Sequence, residues 1–317
     1  MLGLTPENLI LKGVGVGNGL TNPTIQYQYA AKFAYENTYG IKAVTEDEYE
    51  GMLKMQSGKF VMHPSASADD DVTSSVFRCV TILYINPFSS TSVSSISPHF
   101  NHLIFQTECI EKIERCNLSD KNDNELCVDA FMFCQINLQM PYINSGRNIY
   151  DVRQPPPTDN NKDDMNCVSE FIGQEEVKLA LDANVNKKFV ACNMNVYMKF
   201  LGDWMKEYES AIPAMLDGGV DVLIYAGDAD FVCNWMGNQA WTEDMEWSGK
   251  DAFNEAETSQ FVLSSGKVAG EGKFAKGSEG GGRLSFLRIF EAGHLAPKDQ
   301  PAATLEMINR FVATGDV

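Results

Sequence analysis

Two aspartates and one histidine stand where a chain can do hydrolytic chemistry. Asp228 and Asp230 follow the apolar run Val220-Asp221-Val222-Leu223-Ile224-Tyr225. His294 follows a second run, Leu284-Ser285-Phe286-Leu287-Arg288-Ile289-Phe290. A histidine acting as general base needs a carboxylate to fix its tautomer and to stabilise the imidazolium that forms, and it needs a nucleophile to deprotonate. Carboxylate first and histidine later, each just past a strand, is one of the chain orders in which such triads are completed. On spacing alone, the same residues also read as a helix cap after one strand and a turn before Pro297 after the other.

The elements around them fit an α/β sheet with its site at the carboxyl ends of the strands. An opening strand is expected over Leu9–Gly17, ended by Asn18-Gly19 and Asn22-Pro23. Its glycines do not make a phosphate loop, because the sixth position counted from Gly13 is Asn18 and no Walker lysine follows. Residues 25–39 carry Tyr29 and Phe33 at helical spacing, which suits core packing. A short helix is expected over Gln174–Leu181, with Glu175 and Glu176 in its first turn, and another ending over Ala211–Leu216. The last helix starts at Pro301 and places Leu305, Ile308, Phe311 and Val312 on one face.

Composition narrows the function classes. Hydrophobic residues make up 44% and charged residues 21% of the 317, as in a folded globular chain. The net charge of −18 opposes nucleic-acid and anionic-membrane partners, and no run reaches the ~20 apolar residues of a membrane span. Four of the eight cysteines, at 109, 116, 127 and 134, share one short window with the sequon Asn117-Leu118-Ser119. That combination suits an oxidising compartment, yet Met1–Pro6 has no signal-peptide character; the conflict points to a truncated chain. No CxxC pair or His–Cys zinc spacing occurs, so neither metal nor cofactor is expected. Residues 57–105 break the composition, with eleven serines, five charged residues and three of the four histidines (His63, His99, His102). This stretch reads as a loop insertion or as translated non-coding sequence.

Longer motifs sharpen the reading. The segment from Val222 to Trp241, containing Ala226-Gly227-Asp228-Ala229-Asp230-Phe231-Val232-Cys233-Asn234-Trp235, resembles the aspartate motif of the serine carboxypeptidases, the carboxypeptidase Y family. Phe290-Glu291-Ala292-Gly293-His294 resembles that family's histidine motif. Gly17-Asn18-Gly19-Leu20-Thr21-Asn22-Pro23 resembles the strand after its nucleophile helix, and Gly146–Arg153 and Gly202–Met205 resemble further signatures. The resemblance covers everything outside 57–105 and implies an α/β-hydrolase fold with a helical, disulfide-bridged cap insertion. It implies Asp230, not Asp228, as the triad acid and His294 as the base. Trp204, Val232 and Cys233 are implied to line the pocket for the penultimate side chain. Tyr150 and Leu295 are implied to line that for the departing C-terminal residue, with Leu295 in place of the usual methionine. It further implies nested bridges, Cys109–Cys134 outside Cys116–Cys127.

The nucleophile is not found. No Gly-x-Ser-x-Gly occurs, and Ser278, in Gly277-Ser278-Glu279-Gly280, lacks a following apolar helix. Cys192 and Cys167 likewise lack the partners the resemblance would give them. The expectation is therefore a partial serine carboxypeptidase over 1–317, with the atypical insertion 57–105, a cap and connecting region over about 106–200, and the strands and helices carrying Asp230 and His294 over 218–317. Its substrates would be peptide and protein C-termini, in the secretory pathway, vacuolar, lysosomal or extracellular. Alone, the chain is expected to be inactive. The alternatives are a homologue that binds a peptide or partner without turnover, or a truncated gene model of an active enzyme.

Overall fold

A sheet of five strands organises the computed structural model, which describes residues 11–57, 108–118, 124–155, 163–190, 193–315 and 317. The strands are β1 (Gly13–Gly17), β2 (Asp221–Gly227), β3 (Ser259–Val262), β4 (Val268–Lys276) and β5 (Arg283–Ile289), in spatial order β1-β2-β5-β4-β3. β1, β2 and β5 run parallel, whereas β4 and β3 complete the sheet antiparallel. The atypical stretch lies outside the described residues apart from Ser57, and so do Cys79, Cys192 and the histidines at 63, 99 and 102.

Alternation along β2 and β5 builds two cores, because successive side chains point to opposite faces. Val222, Ile224, Leu284 and Phe286 join Trp241, Met245 and Phe253 on one side. Leu223, Leu287 and Ile289 join Phe261, Met307 and Phe311 on the other. Val222, Leu223 and Ile224 are wholly buried, and each such side chain contributes about 1.5–3 kcal/mol relative to exposure. β2 and β5 fall within one or two residues of their expected spans. The β3–β4 hairpin was not expected from the sequence.

The last helix, Pro301–Thr314, buries a different stripe from the expected one. Ala303, Thr304, Met307 and Phe311 face inward, while Leu305, Ile308 and Val312 are exposed. Small residues at 303 and 304 let the helix lie close to the sheet, so the bulkier aliphatics point away. The expected helical run over 25–39 is three short pieces, Pro23–Gln26, Tyr27–Tyr29 and Ala30–Tyr35. Asn22 caps the first by accepting from the Ile25 N–H, with Pro23 at the position where a missing N–H costs nothing.

Helices Cys109–Leu118 and Asn124–Cys134 are bonded by Cys109–Cys134 and, inside it, Cys116–Cys127. Asn117 ties this pair to the segment after Trp204. Its Nδ2 donates to the Ile113 and Met205 carbonyls at 3.0 and 2.9 Å, and its Oδ1 accepts from the Glu207 N–H. A glycan on Nδ2 therefore costs one of two existing bonds.

The chain divides into two compact units. Met1–Phe60, Glu108–Pro155 and Gly202–Val317 form one, so the bridged helices belong with the sheet. Val61–Thr107 and Pro156–Leu201 form the other, whose described helices are Asp163–Gly173, Glu175–Ala180 and Met194–Phe200. Glu175 and Glu176 occupy the first turn of the second of these, where acidic residues suit the helix dipole. No described helix is long and apolar enough to cross a membrane.

Candidate active site

Three neighbouring parallel strands deliver the site from their carboxyl ends. β1 runs into Asn18, β2 into Asp228 and Asp230, and β5 into Glu291 and His294. Two of these exits use left-handed backbone on residues other than glycine, Asn18 at φ 45° and Glu291 at φ 56°. Such conformations cost of order 1–3 kcal/mol and persist where surrounding contacts impose them.

Asp230 is fully buried, and His294 Nδ1 lies 2.8 Å from its Oδ2. A carboxylate only accepts, so this contact places the imidazole proton on Nδ1 and leaves the Nε2 lone pair free to take a proton. Three other donors satisfy the buried charge. Asn18 Nδ2 reaches Oδ2 at 2.9 Å, and the N–H groups of Val232 and Cys233 reach Oδ1 and Oδ2 at 3.0 and 3.3 Å. Burial disfavours a charged His294, but the hydrogen bond and the charge of Asp230 outweigh it, so the imidazole stands above its ordinary value.

Asp228 points into a separate network. It accepts from Tyr39 Oη at 2.5 Å and lies 3.6 Å from Arg288, whose guanidinium also bonds Glu271 and Thr38 and packs 3.9 Å from the Trp235 ring. Burial pushes the Asp228 carboxyl up, opposed by Tyr39 and Arg288. The first aspartate thus braces the strand end, and the second meets the histidine.

The segment 146–154 fastens the two loops together. Ile149 O accepts from the Phe231 and Val232 N–H groups, Val152 N donates to Ala229 O, and His294 N donates to Tyr150 O at 2.8 Å. Phe231 stacks on Tyr142 at 3.8 Å between ring centroids, which anchors the chain beside Asp230.

The remaining expected residues separate into groups. The half-exposed Tyr150 ring lies 5.3 Å from the His294 ring, and Leu295 next to it is 60% exposed. Val232 lines a narrow recess with Leu20, Tyr27, Gln139 and Asn234. Trp204 packs edge-on against Phe131 of the bridged helices at 5.7 Å. Cys233 is buried, and its ligand atom lies within 4.8 Å of those of Asp230 and His294, which together make a metal-compatible trio. Burial first, and then the Asp230 charge, push the thiol well up, so it is a poor nucleophile. Ser278 sits in the β4–β5 turn, where Gly277 N donates to Gly282 O. The seven-residue strand β5 separates it from the His294 end, about 20 Å at 3.3 Å per residue. Asn18 is the site residue that sequence reasoning passed over. Its one signal is its place immediately after a strand, matching the places of Asp230 and His294.

This geometry agrees with a family model, "Serine carboxypeptidase", which matches residues 4–314. The chain belongs to the serine carboxypeptidase family. Its relatives include carboxypeptidase Y of Komagataella phaffii, 32% identical over 97% of this chain and 48% of the relative. Carboxypeptidase Y homolog A of Pyricularia oryzae is 33% identical over 97% of this chain and 46% of the relative. The homolog A of Phaeosphaeria nodorum is 39% identical over 65% and 37%. The chain thus spans less than half the length of these relatives. Among solved structures, a prohormone-processing carboxypeptidase from Saccharomyces cerevisiae superposes with a TM-score of 0.61 at 16% identity, covering 99% of this chain and 57% of that one. The shared architecture is the α/β-hydrolase fold of the serine carboxypeptidases.

Proposed function

We propose that this chain supplies the acid and the base of a serine-type carboxypeptidase, with the serine contributed by residues outside these 317. The observation that carries the reading is the 2.8 Å contact between His294 Nδ1 and a fully buried Asp230 at the ends of adjacent parallel strands. In this reading Nε2 of His294 accepts the serine proton as Oγ attacks the last peptide carbonyl. Asp230 stabilises the resulting imidazolium, and Nε2 then protonates the departing amine. A water, deprotonated by the same nitrogen, hydrolyses the acyl-enzyme.

Peptide and protein C-termini are the substrate class. Tyr150 and Leu295, exposed beside His294, would receive the departing side chain, and Trp204, Val232 and Cys233 the one before it. No nucleic-acid or membrane partner and no cofactor enter the reading. β1 is an edge of the sheet among the described residues, and a further parallel strand pairing there would bring the serine to the same end as Asp230 and His294. The two disulfides and the Asn117 sequon support a reading in the secretory pathway, vacuolar, lysosomal or outside the cell. The test is hydrolysis of blocked dipeptides. The 317-residue chain should be silent and unlabelled by serine-directed phosphonates, while the chain joined to a segment carrying a Gly-x-Ser-x-Gly motif should turn over. Phosphonate labelling of any serine of the chain alone would overturn the reading.

A further inference from the structure

Asn18 is hard to account for as a turn residue. It is only 6% exposed, and its backbone takes a left-handed conformation that glycine adopts at less cost. Its side chain crosses from the end of β1 to the end of β2. Nδ2 donates to Asp230 Oδ2 at 2.9 Å, and Oδ1 faces the Gly227 N–H at 3.4 Å. The backbone is pinned as well, with Asn18 N donating to Tyr225 O at 2.8 Å.

We propose that Asn18 acts on His294 through Asp230: by donating to Oδ2, the oxygen that His294 contacts, it limits the negative charge which that oxygen offers the imidazole. This rests on the acid–base reading of Asp230 and His294 but adds a residue to it. The amide reaches Asp230 from the end of the neighbouring strand. The Val232 and Cys233 N–H groups, by contrast, move with Asp230's own loop. The donor shares the oxygen that His294 contacts, so it also withdraws negative charge from the histidine's partner. Removing it leaves Asp230 a stronger acceptor for His294 and the imidazole more basic. The titratable groups facing His294 are Asp230 and the Cys233 thiol, with the Tyr150 ring against it. Asp299 accepts from the neighbouring Gly293 N–H.

The experiment is an NMR titration of the four histidines in the isotope-labelled 317-residue chain, with His294 identified through His294→Gln. Asn18→Gly keeps the left-handed backbone at no steric cost and deletes only the amide. It should raise the His294 pKa by about half a unit to one unit, leaving His63, His99 and His102 where they were. Asn18→Asp, which sets a second carboxylate against Asp230, should raise it further. A His294 titration that stays in place or moves down in both variants, with the far-ultraviolet circular dichroism unchanged, would overturn the proposal. Turnover is not the readout, so failure of the carboxypeptidase reading and failure of this inference are seen in different measurements.

Discussion

Gly227 and Gly293 approach so closely that a Cβ on Gly227 would lie 2.3 Å from the Gly293 carbonyl oxygen and 2.4 Å from that of Ala292. A Cβ on Gly293 would in turn lie 2.4 Å from Tyr150 O. These glycines precede Asp228 and His294, so their contact sets the spacing of the loops that carry Asp230 and His294. The neighbours they would strike are backbone, which cannot swing aside as a side chain can.

Gly227→Ala should therefore force the two loops apart. Overpacking against fixed backbone costs about 1–3 kcal/mol, read as a lower urea midpoint at constant slope. The His294 titration should fall toward the ordinary imidazole value as its contact with Asp230 lengthens. A variant as stable as the parent, with His294 unmoved, would show that the close approach does not govern the pair.

The histidine also sets a pH dependence. His294 is held above its ordinary value in the folded chain, so the protonated form favours folding. That contribution is complete below about pH 6.5 and is lost as pH rises through the raised folded value. The stability difference between parent and His294→Gln, followed by urea unfolding at pH 5.5 and pH 8.5, should be larger at the lower pH. An equal or larger difference at pH 8.5 contradicts this sign.

The two bridges close loops of 25 and 11 residues on one helical pair. Each such cross-link contributes about 3 kcal/mol in the chain-entropy account. Non-reducing peptide mapping should return Cys109–Cys134 and Cys116–Cys127, and reduction should lower the unfolding midpoint. A bridge from Cys79 into this window would contradict the pairing.

Helix Glu46–Ser57 packs on helix Cys109–Leu118, so the ends flanking the atypical stretch lie on neighbouring elements. Excising residues 58–105 behind a short Gly/Ser linker should leave the thermal midpoint within a few degrees, since longer loops add little closure entropy and lose little when shortened. A clear drop would mean that this stretch supports the fold.

Much of the site was legible because β2 and β5 are dense in apolar residues and each ends in a long motif. Asp230 and His294 could be read from those motifs, and the structure brings them together. The β3–β4 hairpin was not legible. Gly270, Gly272, Lys273 and Lys276 interrupt the alternation, and only the fold shows why glycine stands at 270 and 272. A Cβ there would strike β5 carbonyls at 2.4 and 2.2 Å. The last helix misled for the opposite reason, since Leu305, Ile308 and Val312 form an apolar stripe that the fold leaves exposed. Asn18 was hidden because its partner lies 212 residues away; nothing local distinguishes it from an Asn-Gly turn.

In the proposed reading His294, oriented by Asp230, is the base of an acyl transfer whose serine lies outside these residues. The most direct test is turnover of a blocked dipeptide by the chain joined to the serine-bearing segment, compared with its His294→Ala and Asp230→Asn variants. Turnover should be measurable in the parent and absent above background in His294→Ala, and kcat should be roughly ten-thousand-fold lower in Asp230→Asn. Turnover in His294→Ala equal to the parent's would contradict it.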